Sequence, residues 1–226
     1  MITKKRKKTV VIVPIKSRSK RVKNKNFKLV NKKPLYTYLL SKLKKCNFDE
    51  IYVDSDSLEI QHYCKKNNFK FIKRLPQLAR DNANGNDLLN YHAKIIDADI
   101  YFQLFITSPL TKISTINKCI EILKKTKNND SILTITKIFS WFWYKNKPIN
   151  YKPQILPRSQ DAKPLVLETT ALYGIKKNAL KKKKCRIGSR PYFYEVDDEE
   201  AVDLDNEKDF NYLEYYVRKN LSSTKY

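Results

Sequence analysis

Short apolar runs alternate along this chain with stretches of helical periodicity. Thr9 to Pro14 is a compact run of β-branched residues, which predicts a buried strand. Lys16 to Lys33 is polar and aperiodic and reads as a loop. Pro34 opens an amphipathic stretch to about Lys45, with Leu35, Tyr38, Leu39 and Leu43 on one face. Glu50 to Asp54 predicts a second strand. Ser57 caps a helix to Asn67 that turns Ile60, Tyr63 and Cys64 inward. Phe69 to Ile72 is a third strand, Arg74 to Gly85 a loop, and Asn86 to Ile96 a helix. Asp99 to Ile106 is a strongly apolar strand. Ser114 is expected to cap a helix to Lys125 with Ile116, Ile120 and Leu123 at helical spacing. Ser131 to Thr136, residues 168–175 and Tyr192 to Val196 read as further strands, and Glu207 to Lys219 as the closing helix. The lysine run 181–184 reads as a solvated loop.

Strands alternating with helices of this length predict an α/β fold with a doubly wound, mostly parallel sheet. Ligands of such sheets sit beyond the carboxyl ends of the strands. The loops at 15–33, 74–85 and 105–112 all fall on that side. The chain reads as one domain, 1–226, with one break in the pattern. Residues 137–168 hold Trp141, Phe142, Trp143, Tyr144 and several prolines. This excursion is either a surface hairpin packed on its own domain or a dimer contact.

Composition narrows the class. The chain has 226 residues, 41% hydrophobic and 12% aromatic, which suits a folded domain. No apolar run approaches the length of a membrane span. The run Val10 to Val13 is too short for a secretory core and is followed by Lys and Arg, so a cytoplasmic location is expected. Cys46, Cys64, Cys119 and Cys185 show no metal or redox spacing and are expected as reduced thiols. His62 and His92 are isolated and read as surface or satisfied histidines. Lys and Arg number 47 against 23 acids, a net charge of +24. Such charge favours anionic partners. It is spread along the chain with abundant Asn and Ile, which argues against specific nucleic-acid binding.

Two stretches carry candidate chemistry. Val202-Asp203-Leu204-Asp205-Asn206 puts two carboxylates on one face of an extended segment, with Val202 and Leu204 on the other. Paired carboxylates of this kind suit a hard divalent cation such as magnesium. The competing reading is an acidic turn capping the helix that starts near Asn206. The loop after the first strand, Ile15-Lys16-Ser17-Arg18-Ser19-Lys20-Arg21 followed by Lys25-Asn26, is studded with cations. Lysine heads and backbone N–H groups in such a loop can receive phosphate. It lacks the glycines of a Walker loop.

The order Val13-Pro14, Ser19-Lys20, Lys25-Asn26 and Lys33-Pro34-Leu35 resembles the opening of the acylneuraminate cytidylyltransferases, the CMP-sialic acid synthetases. More motifs follow in the family's order. They are Asp54-Ser55-Asp56-Ser57-Leu58-Glu59-Ile60, Arg74-Leu75-Pro76-Gln77-Leu78-Ala79-Arg80-Asp81 and Thr107-Ser108-Pro109-Leu110. Then come Pro157-Arg158-Ser159-Gln160-Asp161, Leu167-Glu168-Thr169-Thr170-Ala171-Leu172-Tyr173 and Val202-Asp203-Leu204-Asp205. The resemblance covers about residues 9–219. It implies a nucleotide-diphospho-sugar transferase-like, Rossmann-like fold, and transfer of CMP from CTP to an acidic nonulosonic sugar with release of pyrophosphate. It also implies a homodimer built on the excursion. Lys16, Lys20 and Lys25 would hold the triphosphate beside Ser19, and Asn26, Arg74 and Asp81 would border the nucleotide. Asp203 and Asp205 would hold Mg2+, so Lys20, Lys25, Asp203 and Asp205 form the implied catalytic set. Phe105, Thr107, Ser108, Arg158, Gln160, Glu168 and Thr169 would face the sugar.

The chain departs from the family pattern at several places. Ser17-Arg18 replaces the glycine pair of the first loop. Phe105 stands for Gln, Thr111 for the arginine after Ser-Pro-Leu, and Thr169-Thr170 for Asn-Gly. Sugar-facing positions change most, which points to a non-standard sugar acid. Two alternatives stay open: a catalytically weak relative that binds nucleotide or sugar, and a basic nucleic-acid-binding protein. Activation of an eight-carbon sugar acid shares most motifs, and Glu168 and Gln160 argue against it.

Overall fold

A computed structural model describes residues 6–19 and 22–223. Seven strands form the main sheet: β1 (Thr9–Ile15), β2 (Glu50–Ser55), β3 (Lys70–Lys73), β4 (Ile100–Leu104), β5 (Ser131–Ile138), β6 (Leu165–Lys176) and β7 (Pro191–Glu195). Their spatial order is β7-β5-β6-β4-β1-β2-β3. The pairings β1/β2, β1/β4, β2/β3 and β5/β7 are parallel, and only β6 runs antiparallel to its neighbours β4 and β5. The mostly parallel sheet read from the sequence is therefore observed.

The helices are α1 (Leu35–Leu43), α2 (Leu58–Asn67), α3 (Gly85–Ile95), α4 (Ile113–Lys125), α5 (Lys177–Lys183) and α6 (Glu207–Ser223). Alternation along β1 decides which face each helix covers. Val11, Val13 and Ile15 meet Leu39, Leu43, Ile60, Ile116 and Ile120, so α1, α2 and α4 lie on one face. Val10 and Ile12 meet Leu89 and Leu180, so α3 and α5 lie on the other. Burial on both faces explains why β1 is apolar throughout instead of alternating with polar residues.

A third apolar cluster fixes the C-terminal segment. Leu204 is packed with Val22, Val30, Leu35, Leu110, Phe210 and Leu213. It ties the segment carrying Asp203 and Asp205 to the loop after β1 and to the loop after β4. Among the described residues no helix is long and apolar enough to cross a membrane. All four cysteines are free thiols.

Some local expectations are corrected. The stretch 16–33 is not a plain loop, since it holds a 3-10 turn at Lys25–Phe27 and a small hairpin, Leu29–Val30 with Lys33–Pro34. Ser114 does not cap α4. The helix starts at Ile113, and the Lys112 N–H instead donates to Glu200 Oε2 at 2.8 Å, a partner supplied from far along the chain. The lysines after Lys176 are helical up to Lys183, with Leu180 buried beneath them and Lys184 closing the helix in the left-handed region. Ala, Leu and Lys all favour helix, and one buried leucine suffices to seat this short one. The excursion forms a second small hairpin, Trp143–Tyr144 with Lys147–Pro148.

Candidate active site

Parallel strands deliver their following loops to one end of the sheet. Lys16 follows β1, Arg74 follows β3, and Phe105 and Thr107 follow β4. Together with Asn26, Asp81, Asn84 and Gly85 they line a cleft of about 370 Å³. Lys16 Nζ pairs with Asp81 Oδ1 at 2.8 Å, and Asn26 Nδ2 donates to the Lys16 carbonyl at 2.7 Å. Six residues proposed from the sequence thus share one cleft: Lys16, Asn26, Arg74, Asp81, Phe105 and Thr107.

The loop manages without its glycines. Neither Ser17 nor Arg18 takes a positive φ. The Ser17 N–H and hydroxyl donate to the two oxygens of Asp56 at 2.7 and 2.6 Å. Burial raises the Asp56 carboxyl, but the Ser17 hydrogen bonds and the Arg74 charge outweigh it and hold it below its usual value. A serine clamp therefore does the shaping that glycine flexibility does elsewhere.

Arg74 is buried and already engaged. Its Nε donates to Asp54 Oδ1 and its Nη2 to the Asp54 carbonyl, both at 3.1 Å, while His92 Nε2 lies 2.9 Å from Asp54 Oδ2. A buried ion pair of this kind holds geometry more than it adds stability. His92 is thus a buried histidine satisfied at Nε2, as its isolation suggested. Asp54 was given no site role in the sequence reading. Asp54 stood inside a quoted motif, but only the fold shows that it anchors Arg74.

The lysine loop and the aspartate segment meet. Lys25 is buried, and its Nζ donates to the Leu204 carbonyl at 2.8 Å and pairs with Asp205 Oδ1 at 3.1 Å. The Leu204 N–H donates to the Thr107 carbonyl at 2.8 Å. One residue of that segment, Leu204, is therefore fastened through its carbonyl to the first loop and through its N–H to a wall of the cleft. Asp203 Oδ2 accepts from Thr170 Oγ1 at 2.9 Å. Asp203 Oδ1 is buried and has no hydrogen-bond partner among the described residues. The helix-cap reading belongs to other residues. Asn206 Oδ1 receives the Lys208 and Asp209 N–H groups, and Asp209 Oδ2 receives those of Asp205 and Asn206. Asp203 lines a separate hollow of about 400 Å³ with Asp198, Val202, Lys208 and Tyr212, and not the Lys16 cleft.

The remaining proposed residues are placed as follows. Ser108 is buried, with its hydroxyl unpartnered among the described residues. The loop from Thr107 to Thr111 is held from α1 by Lys42, whose Nζ donates to the Pro109 and Thr111 carbonyls. Thr169 spends its hydroxyl on Thr134 Oγ1 at 2.7 Å, between strands. Glu168 accepts from the Tyr173 hydroxyl at 2.8 Å and is exposed. Arg158 pairs with Asp161 and, like Gln160, stays exposed on the excursion. Ser19 is half-buried at the end of the described loop, and Lys20 lies outside the described residues. Arg186 and Tyr173 were missed. Tyr173 lay inside a motif, and Arg186 carried no signal beyond being one of few arginines in a lysine-rich chain.

A larger hollow of about 590 Å³ opens at the opposite, amino end of β4. Three of its lysines are spent on structure: Lys7 Nζ donates to the Lys124 carbonyl, Lys176 Nζ to those of Thr126 and Asn129, and Lys177 pairs with Asp97.

Comparison with known proteins gives the family. The chain is 29% identical over 210 residues to a Helicobacter pylori protein named pseudaminic acid cytidylyltransferase and UDP-2,4-diacetamido-2,4,6-trideoxy-beta-L-altropyranose hydrolase, covering 86% of this chain and 40% of that one. It is 24% identical to N-acylneuraminate cytidylyltransferase A of Danio rerio, covering 88% of this chain and 48% of that one. The chain therefore spans about half the length of these curated relatives or less. Among solved structures, CMP:2-keto-3-deoxy-manno-octonic acid synthetase complexed with CTP shares the fold, with a TM-score of 0.70 at 14% identity over 94% of this chain and 99% of that one. The family model described as cytidylyltransferase matches residues 10–220, and the chain belongs to that family.

Proposed function

We propose that the chain transfers CMP from CTP to the anomeric hydroxyl of an acidic nonulosonic sugar. The sugar oxygen attacks the α-phosphorus, the new O–P bond forms, the bond to the β-phosphate breaks, and pyrophosphate leaves. The hydroxyl proton passes to solvent. Membership of the cytidylyltransferase family supports the reaction class. One observation carries the site: Lys25 bonds Asp205 and Leu204 while Leu204 bonds Thr107, so the phosphate loop, the aspartates and the cleft wall are one unit.

Transfer of this kind needs positioning and charge neutralisation more than covalent help. Lys16, Lys20 and Lys25 are assigned to the triphosphate, with Lys16 leaving Asp81 to meet it. Asn26 and Arg74 border the nucleotide, and the Asp54 anchor keeps the Arg74 guanidinium fixed. Asp203 and Asp205 fit magnesium, because both are hard oxygen donors and Asp203 Oδ1 is buried without a partner among the described residues. When bound, that ion would neutralise phosphate charge and ease ionisation of the attacking hydroxyl. The excursion is assigned to a homodimer in which Arg158 and Gln160 reach the partner's sugar side.

The test is pyrophosphate release from CTP with magnesium and a panel of acidic sugars: N-acetylneuraminic acid, pseudaminic acid and the eight-carbon keto-deoxy acid. Turnover is expected with a nine-carbon acid. Asp203→Ala is expected to abolish it while leaving the melting temperature near wild type. Absence of both turnover and CTP binding with every sugar would overturn the proposal.

A further inference from the structure

Of the cations around the cleft, Lys16 has Asp81, Arg74 has Asp54 and, behind the wall, Lys25 has Asp205, while Arg80 is exposed to solvent. Arg186 is different. It is half-buried, and no carboxylate among the described residues lies within ion-pair distance of it. Its guanidinium carbon sits 3.7 Å from the Tyr173 ring centroid and 5.7 Å from that of Phe105. Those two rings meet edge to face at 6.4 Å. Aromatic faces hold a guanidinium flat without neutralising it.

The position is built and not incidental. The Arg186 N–H donates to Asn86 Oδ1 at 2.9 Å, which pins the backbone to the first turn of α3. A Cβ on Gly85 would stand 2.8 Å from Arg186 Nη1 and 3.2 Å from Gln103 Oε1. Gly85 has no positive φ, so the missing side chain is what makes room for the guanidinium. Gln103 is fully buried, donates Nε2 to the Gly85 carbonyl at 3.1 Å, and keeps Oε1 unpartnered among the described residues. A fork of N–H donors and a free acceptor thus converge beside one small residue. Gly85 and Phe105 line the Lys16 cleft. On the other side, the Tyr173 hydroxyl bonds Glu168, and Thr170 of the same strand bonds Asp203. Arg186 therefore touches two residues of the nucleotide cleft, Gly85 and Phe105, and a strand that also holds the aspartate segment.

We propose that Arg186 recognises the carboxylate of the acidic sugar and makes the site selective for sugar acids. This rests on the CMP-transfer reading. A planar guanidinium matches a carboxylate with two parallel hydrogen bonds, which a lysine cannot do. A triphosphate oxygen presents similar chemistry, but the phosphate loop supplies its own lysines. Kinetics separate the two sources.

The experiment compares wild type, Arg186→Met and Arg186→Lys, each checked by thermal melting, with CTP and the sugar varied separately. Arg186→Met keeps much of the stacked stem. It is expected to raise the KM for the sugar acid about 30-fold or more, the scale for truncating one member of a buried charge pair. The KM for CTP should stay within about twofold, and Arg186→Lys should fall between the other two. Wild type should also discriminate against the sugar's methyl ester, and Arg186→Met should lose that discrimination. An unchanged sugar KM, or a raised CTP KM instead, overturns the proposal while leaving CMP transfer standing. If wild type turns over no sugar, saturation-transfer NMR with N-acetylneuraminate decides. Binding that disappears in Arg186→Met supports the carboxylate site and overturns CMP transfer. Binding that persists in Arg186→Met, or no binding at all, overturns the site as well.

Discussion

At the scale of single residues, Thr170 takes a backbone conformation that favours glycine. It sits where β6 shifts register between Glu168 and Tyr173, with φ at 57°. A β-branched residue in the left-handed region is strained, by about 1–3 kcal/mol. Its hydroxyl has a use, since it holds Asp203 Oδ2 and leaves Oδ1 unbonded. Thr170→Gly should relieve that strain and lose the hydrogen bond to Asp203, two effects that offset, so stability should stay within about 1 kcal/mol of wild type. It should also loosen Asp203 and raise the magnesium concentration needed for half-maximal turnover several-fold. Urea unfolding and a magnesium titration of the same protein read the two effects apart. A variant that is less stable, with unchanged magnesium dependence, would show that the hydroxyl serves only the bulge. The motif residues themselves were legible because they sit in loops after strands, at spacings a sequence preserves. Their partners were not. Asp54 for Arg74, Asp56 for Ser17 and Tyr173 for Arg186 are choices made by packing, and no local pattern records them.

Elements show the same division. The strands and the long helices follow from periodicity, because burying one or both faces leaves a pattern that survives in the sequence. What fails is local chemistry supplied from a distance. Glu200 is buried at the start of α4, where Oε2 accepts from the Lys112 N–H and Oε1 from Thr115 Oγ1 at 3.0 Å. A carboxylate there also meets the positive end of the helix. Ser114 looked like the cap only because the true one lies far along the chain. Glu200→Ala should destabilise by about 1–3 kcal/mol, the cost of leaving buried donors unpaired, and chemical denaturation measures it. Glu50 of β2 makes a second case with a pH signature. Its hydrogen bond to Lys70 of β3, then that to Lys8, pulls its carboxyl from 4.5 down to about 2. The folded value lies below the unfolded one. That stabilisation is fully present above about pH 4.5 and is lost as pH falls towards 2. Glu50→Gln should flatten the fall in stability across that window, and melting temperatures from pH 5 to pH 2 show whether it does.

At the scale of the whole molecule, the excursion after β5 carries several of the exposed large apolar side chains. Trp143 is 57% exposed, Ile155 73% and, on the edge strand β7, Phe193 52%. The hairpin at Trp143–Tyr144 and Lys147–Pro148 has only two residues a side. Such a hairpin is marginal alone in water and gains order by packing. On the excursion Trp141 and Trp143 both meet the Tyr151 ring, and exposed aromatic clusters of this kind mark interfaces. A second copy of the chain fits, because Arg158 and Gln160 lie on the same excursion and are separated from their own cleft. Electrostatics oppose that contact, since each copy carries a net charge of +24. Salt screens such repulsion within about 10 Å at 0.1 M ionic strength and leaves apolar burial intact. Dimerisation should therefore tighten as salt rises, opposite to what an ion-paired or nucleic-acid-bridged assembly does. Sedimentation equilibrium at two salt concentrations should give a species of twice the chain mass, more of it at the higher salt. The double variant Trp143→Ser, Ile155→Ser should sediment as a single chain and lose turnover, with its melting transition retained. A wild-type protein that stays a single chain at every salt concentration, with full turnover, would leave Arg158 and Gln160 outside the reaction and give the aromatic face to another partner.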